Sequence, residues 1–169
     1  MFDAPLWRDY FVMVGGGAAA LTGLVFVAMS LHLSDVASDP AHRHRARTIL
    51  TALTTVFIRC GLVLMGGQTA RAVGGEIFVV IVGVEVVVFR SLHEALRGSG
   101  AAQHDVLSRT LGYAACLIIE QTGAAILFFG HTWGLYAVGV GMMASFLVIV
   151  FGAWLLLVGV DSQSRRMTP

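Results

Sequence analysis

The sequence predicts an all-α integral membrane protein: one transmembrane domain of five helices, with the N-terminus outside and the C-terminus in the cytoplasm. Three observations lead there: the composition, five long apolar stretches, and the placement of the arginines. Of the 169 residues, 57% are apolar and 12% are charged, and the mean hydropathy is +0.81. A soluble domain carries about twice that share of charge. A water-soluble chain of this size could not hide so much apolar surface in one core, which excludes a soluble enzyme domain. Residues 11–33, 48–68, 72–89, 110–130 and 135–160 are each long enough for a bilayer, which needs about 20 residues per helix. Val, Ile and Gly are poor helix formers in water. In lipid, however, an isolated span must satisfy its own backbone hydrogen bonds, so helix is the only solution.

The first span follows Asp3, Arg8 and Asp9 rather than a basic leader, and its apolar run is too long for a cleavable signal peptide. Trp7, Tyr10 and Phe11 form an interfacial aromatic belt at its outer end. Gly15, Ala19 and Gly23 recur at four-residue spacing, with Gly16 and Ala20 one step around the helix. Small residues at this spacing let helix backbones approach closely, so this seam is the expected surface for association with another helix. The connection that follows holds Asp39, His42 and His44, which read as a solvated cytoplasmic loop and not a metal site.

Span two carries Arg59 near its centre, with Thr51 and Thr55 on the same face. Span three carries Glu76 near its outer end and Glu85 toward the cytoplasm, on roughly opposite faces, so these two should not share a site. The Gly98-Ser99-Gly100 break lets this helix continue to Arg97, with Glu94 four residues after Arg90 as a surface pair of small value. Span four carries Glu120, followed by Gln121, on a face with Gly112, Cys116 and Ala124. Span five repeats the small-residue idea at Gly141 and Ser145, and its Met142-Met143 pair reads as packing. Ser30-Leu31-His32 matches Ser91-Leu92-His93, and the same offset sets Arg59 opposite Glu120. Few other positions match, so duplication of two spans is a weak reading.

Every basic residue is Arg, and Ala, Gly and Val are abundant, which points to a GC-rich bacterial source. Arg43, Arg45, Arg47, Arg90, Arg97, Arg109, Arg165 and Arg166 fall on one side of the five spans, and only Arg8 and Arg71 on the other. The positive-inside rule makes the richer side cytoplasmic. No basic block resembles a nucleic-acid footprint.

The chemistry concentrates in Arg59, Glu85 and Glu120. A charge at mid-membrane costs about 2.5–3.5 kcal/mol even on the lenient insertion scale. Arg59 cannot shed its proton and needs a carboxylate; either glutamate can serve, and the other is left over. A glutamate without a cation in a poor dielectric stays neutral. The expected arrangement is therefore a three-residue network, Arg59–Glu85–Glu120, supported by Thr51, Thr55 and Gln121. It serves as a clamp that fixes helix register, as a proton or ion pathway, or as a ligand- or partner-docking site.

No cofactor or metal is expected. His32, His93 and His131 lie at span ends and His42, His44 and His104 in polar connections, with no facing pair for haem. Cys60 and Cys116 lie within apolar spans, without a CxxC motif. GxSxG, HExxH and phosphate-loop motifs are absent, and no catalytic residue is assigned.

Trp7-x-x-Tyr10-Phe11, followed by Gly16-x-x-x-Ala20-Leu21-Thr22-Gly23-Leu24-x-Phe26-Val27-Ala28-x-Ser30, resembles a group of small bacterial multi-span membrane proteins, some labelled modulator of FtsH protease. The similarity runs from about Trp7 to Arg47 and implies a plasma-membrane protein with a regulatory role and no catalytic residues. Arg59, Glu85 and Glu120 lie beyond it. The function expected from the whole chain is non-enzymatic: a regulator or accessory subunit that associates through its helices, in the lipid bilayer, as a homo-oligomer or with a membrane protein partner. The alternative is a small proton or ion conduit through the Arg-Glu-Glu network.

Overall fold

Long apolar runs punctuated by glycine pairs give helices that end where a chain turning back across a bilayer requires. The computed structural model describes residues 4–31, 40–97 and 103–167, and the statements below concern those residues. It contains α1 (Ala4–Leu31), α2 (Pro40–Leu64), α3 (Ala70–Arg97), α4 (Gln103–Phe128) and α5 (Gly134–Met167). Each holds a segment long and apolar enough to cross a membrane: Trp7–Leu31, Ala46–Leu64, Ala70–Arg90, Thr110–Phe128 and Gly134–Trp154. The protein is thus an all-α, multi-pass integral membrane protein. Residues 32–33 of the first expected span and the Gly98-Ser99-Gly100 break lie outside the described residues.

The helix ends differ from expectation for local reasons. Span two, expected to reach residue 68, stops at Leu64 because Gly66-Gly67 follows and Gly67 takes φ 82°. Thr69 Oγ1 then accepts from Ala72 N at 3.3 Å and caps the start of α3. Helix α4 closes with Gly130 at φ 92°, where Gly130 N bonds Leu127 O at 2.9 Å and His131 N bonds Ile126 O at 3.2 Å. This paired pattern is the Schellman stop, which requires a left-handed residue and so favours glycine. His42, His44 and His104, expected in connections, lie on helical backbone at the starts of α2 and α4.

Helices α2, α3, α4 and α5 pack each on the next, and α5 returns to α2, closing a four-helix ring; α1 lies outside it, mainly on α2 and more lightly on α5. The backbones of α4 and α5 approach closely. A Cβ on Gly123 would meet Gly134 O and Val138 N at 2.7 Å, and one on Gly134 would meet Gly123 O at 2.5 Å. Backbones this close gain dispersion contacts that lipid cannot supply, which is how helices associate where no hydrophobic force separates side chain from solvent. Leu53, Val56, Ile77, Ile81, Leu117, Leu127, Leu135 and Met142 fill the interior.

The glycine-alanine seam of α1 divides. Gly15 is buried on α2, where an added Cβ would come within 2.9 Å of Cys60 Cβ. Gly16, Ala19, Ala20 and Gly23 turn outward and are exposed. At the N-terminal end of α1, Trp7 meets Tyr136 edge-on at 4.6 Å, and the Tyr10 hydroxyl donates to Gly139 O at 2.6 Å. These contacts tie α1 to the start of α5.

Candidate functional site

Helix α2 brings Arg59 into the ring and holds the root of its guanidinium. Arg59 Nε donates to the Thr55 carbonyl one turn earlier at 3.1 Å. Thr55 in turn sends its hydroxyl back to Thr51 O and Ala52 O, both at 2.9 Å. The threonines thus act on Arg59 through backbone, with Thr51 one turn further back. Across the ring, Arg59 Nη1 donates to Glu120 Oε2 in a salt bridge whose two side chains are both 0% exposed. The other carboxylate oxygen, Glu120 Oε1, accepts from Ser145 Oγ on α5 at 2.6 Å.

This trio ties three helices. Helices α2 and α4 sit diagonally in the ring, with α3 and α5 as their main packed neighbours, so the ion pair links two helices across it. Space for Glu120 comes from Gly141, one turn before Ser145 on the same face of α5. A Cβ there would run into Glu120 Cγ and come within 3.1 Å of Glu120 N and 3.3 Å of Cys116 O. Gly141 admits the glutamate and Ser145 bonds it.

The pair is neutral overall, and each carboxylate oxygen has a donor. On the arginine side, Nη2 has no hydrogen-bond partner, and neither does the Tyr113 hydroxyl on α4. Both residues are buried, Tyr113 to 3% exposure. Tyr113 lies beside Thr55 and Arg59 of α2 across the ring. Arg59, Glu120 and Ser145 are each 0% exposed, so the trio is enclosed among the described residues.

The expected three-residue network is a pair plus a serine. Of the candidates, Arg59 and Glu120 meet. Glu85 does not join them: it sits half-buried on the flank of α3, one residue past Val84, and makes no hydrogen bond or ion pair among the described residues. The physical reason is helix rotation, since Ile77, Ile81, Val84 and Val88 occupy the inward face and successive residues turn by about 100°. Gln121 is half-buried and forms no hydrogen bond to the pair. Glu76 receives both its bonds from the Gln68 side-chain amide, at 3.1 and 3.0 Å, and stands apart from Glu85.

From the sequence, Ser145 reads as part of a small-residue seam with no evident His or Asp partner, and the structure gives it Glu120. The signal that could have found it was the pair Gly141 and Ser145, one turn apart, at the depth of Glu120. Comparison of the chain with protein-family models, with characterised proteins and with solved structures finds no match.

Proposed function

We propose that the protein is a non-enzymatic regulator or accessory subunit of a bacterial plasma membrane, acting through helix–helix association at the outer face of α1. The observation that carries this reading is the split of the α1 seam. Gly15 is spent on packing within the chain, whereas Gly16, Ala19, Ala20 and Gly23 are exposed, with none of the described residues covering them. Polar chemistry supports the same reading, because Arg59, Glu120 and Ser145 are enclosed and mutually satisfied at the carboxylate, as a structural clamp would be. The resemblance of residues 7–47 to small bacterial membrane proteins labelled as protease modulators agrees with a regulatory role. Arginine placement puts the N-terminus outside and the C-terminus in the cytoplasm, so a fluorescent protein fused after residue 169 should mature and fluoresce.

The test uses native membranes solubilised in mild detergent, with the size of the particle containing this chain read by native electrophoresis. Gly23→Leu and Gly16→Leu should shrink that particle while leaving thermal stability intact, since a Cβ at either position meets nothing within 4 Å. A particle unchanged by both substitutions would sink the proposal.

A second reading, a proton conduit, has one observation in its favour: Arg59 Nη2 and the Tyr113 hydroxyl lack partners in mid-bundle. Proteoliposomes with a trapped pH dye under a potassium-diffusion potential decide it. Wild-type vesicles as tight as empty ones would remove that reading.

A further inference from the structure

Helix α3 presents a second outward face, on a different side of the bundle from α1, because α3 packs on α2 and α4 whereas α1 packs on α2 and α5. Val79, Val82, Val86 and Phe89 are all exposed there, Val79 and Phe89 to about 70%. Their spacing alternates three and four residues, and His93, also exposed, continues it. That is the a/d pattern of a two-stranded coiled coil, with Val79, Val86 and His93 at a and Val82 and Phe89 at d. The inward face of the same helix, Ile77, Ile81, Val84 and Val88, is separate and already covered. An apolar stripe alone means little in a bilayer, since lipid covers it as well as protein does.

The charges beside the stripe change that. In this register Glu85 is a g position and Arg90 the following e position. Parallel coiled-coil dimers join a g residue to the e residue five further along in the partner helix. Within one chain the two residues flank opposite edges of the stripe and cannot meet across it. Neither forms an ion pair among the described residues. Glu85 lies five residues, about 7.5 Å, inside the end of a candidate span that closes at Arg90. A carboxylate at that depth without a cation is costly.

We infer that the protein forms a two-fold homodimer through α3, in which Glu85 of each copy pairs with Arg90 of the other. Copies inserted the same way round can be related by a two-fold axis only along the membrane normal, which makes the two α3 helices parallel, as the five-residue offset demands. One symmetric interface neutralises both embedded carboxylates. It is independent of the α1 face and leaves that face free for a partner.

The test is oxidative cross-linking in proteoliposomes. Cys60 and Cys116 are buried, so the wild type serves as the uncross-linked control. Val86→Cys, at an a position on the two-fold axis, should give a disulfide dimer. Val87→Cys, exposed but off the stripe, should not. In the Val86→Cys background, Glu85→Gln should lower the dimer yield by roughly tenfold, as loss of interhelical polar bonds in lipid implies. Glu85→Arg and Arg90→Glu should each do the same, and the two together should restore it. Equal cross-linking at positions 86 and 87, indifference to Glu85→Gln, or failure of the charge swap to restore the dimer would each overturn the inference. Ala20→Cys reports the α1 face separately: cross-linking there without any at position 86 would overturn the α3 dimer and leave the α1 reading standing.

Discussion

Replacing Glu120 by Gln isolates the charge of the buried pair from its shape. Glutamine has nearly the same volume, its carbonyl can still accept from Arg59 Nη1, and its amide can still meet Ser145 Oγ. What disappears is the negative charge opposite a guanidinium that is 0% exposed and cannot release its proton. Neither of the other carboxylates described within the spans takes its place, since Glu85 stands on the flank of α3 and Glu76 is held by Gln68. Leaving one buried charge uncompensated costs about 3–5 kcal/mol, and the lenient membrane scale gives about 2.5–3.5 kcal/mol for a bare Arg at mid-span. A loss near 3 kcal/mol follows from both. For a chain of this size each kcal/mol moves the unfolding midpoint by about 2–4 °C, so Glu120→Gln should lower it on the order of 10 °C.

The measurement is loss of helical circular dichroism, and of monodisperse elution, on heating in a fixed detergent. Arg59→Met combined with Glu120→Leu supplies the counter-test. Removing both charges and filling the space with apolar atoms should return most of the lost stability, because a buried pair gains little net energy once its desolvation is counted. Two results would refute the reasoning: a midpoint for Glu120→Gln within about 2 °C of wild type, or a double variant as unstable as the single one. The first would mean that water or lipid headgroups reach Arg59. The second would mean that the pair contributes net attraction beyond satisfying its own burial.

Close-approach glycines and outward glycines should behave oppositely on the same heating assay. Gly141→Ala forces a methyl into Glu120 and Gly123→Ala forces one against the backbone of α5, so each should destabilise by about 1–3 kcal/mol; Gly16→Ala should be neutral or slightly stabilising. Tyr10→Phe removes the 2.6 Å bond to Gly139 O and should cost about 1 kcal/mol, read most clearly as faster amide exchange over residues 4–11.

Hydropathy made the five helices legible because span length is a one-dimensional property of the chain. Its errors fall where a local conformation outweighs apolarity. Met65-Gly66-Gly67 counts as hydrophobic, yet Gly67 at φ 82° ends α2. The candidate site was legible in residue type and not in rotation. Arg59 and Glu120 stood out as charges inside apolar runs and do meet; Glu85 stood out equally and does not, because one residue past Val84 is enough to swing it out of the ring. The same rotation divides Gly15 from Gly16. Ser145 was legible as a small residue but not as a partner, because only the neighbouring helix shows that its hydroxyl has a carboxylate to bond.

Apolar side chains are a weak guide to helix arrangement in a bilayer, since a leucine gains little by exchanging lipid for another leucine. Two kinds of feature remain that can tell one arrangement from another. One is backbone approach, available only where glycine removes the Cβ. The other is a charge that must find its counterpart. Here both operate on the same residue: Gly141 opens the space that Glu120 occupies, and Glu120 fixes Arg59 across the diagonal of the ring. A rotation of α5 that turned Gly141 away would drive a side chain into Glu120 and break the bond from Ser145 in one movement. The ring can therefore close in one register of α2, α4 and α5, and α1 is then free to dock on its outside through Gly15 with the rest of its seam facing the membrane.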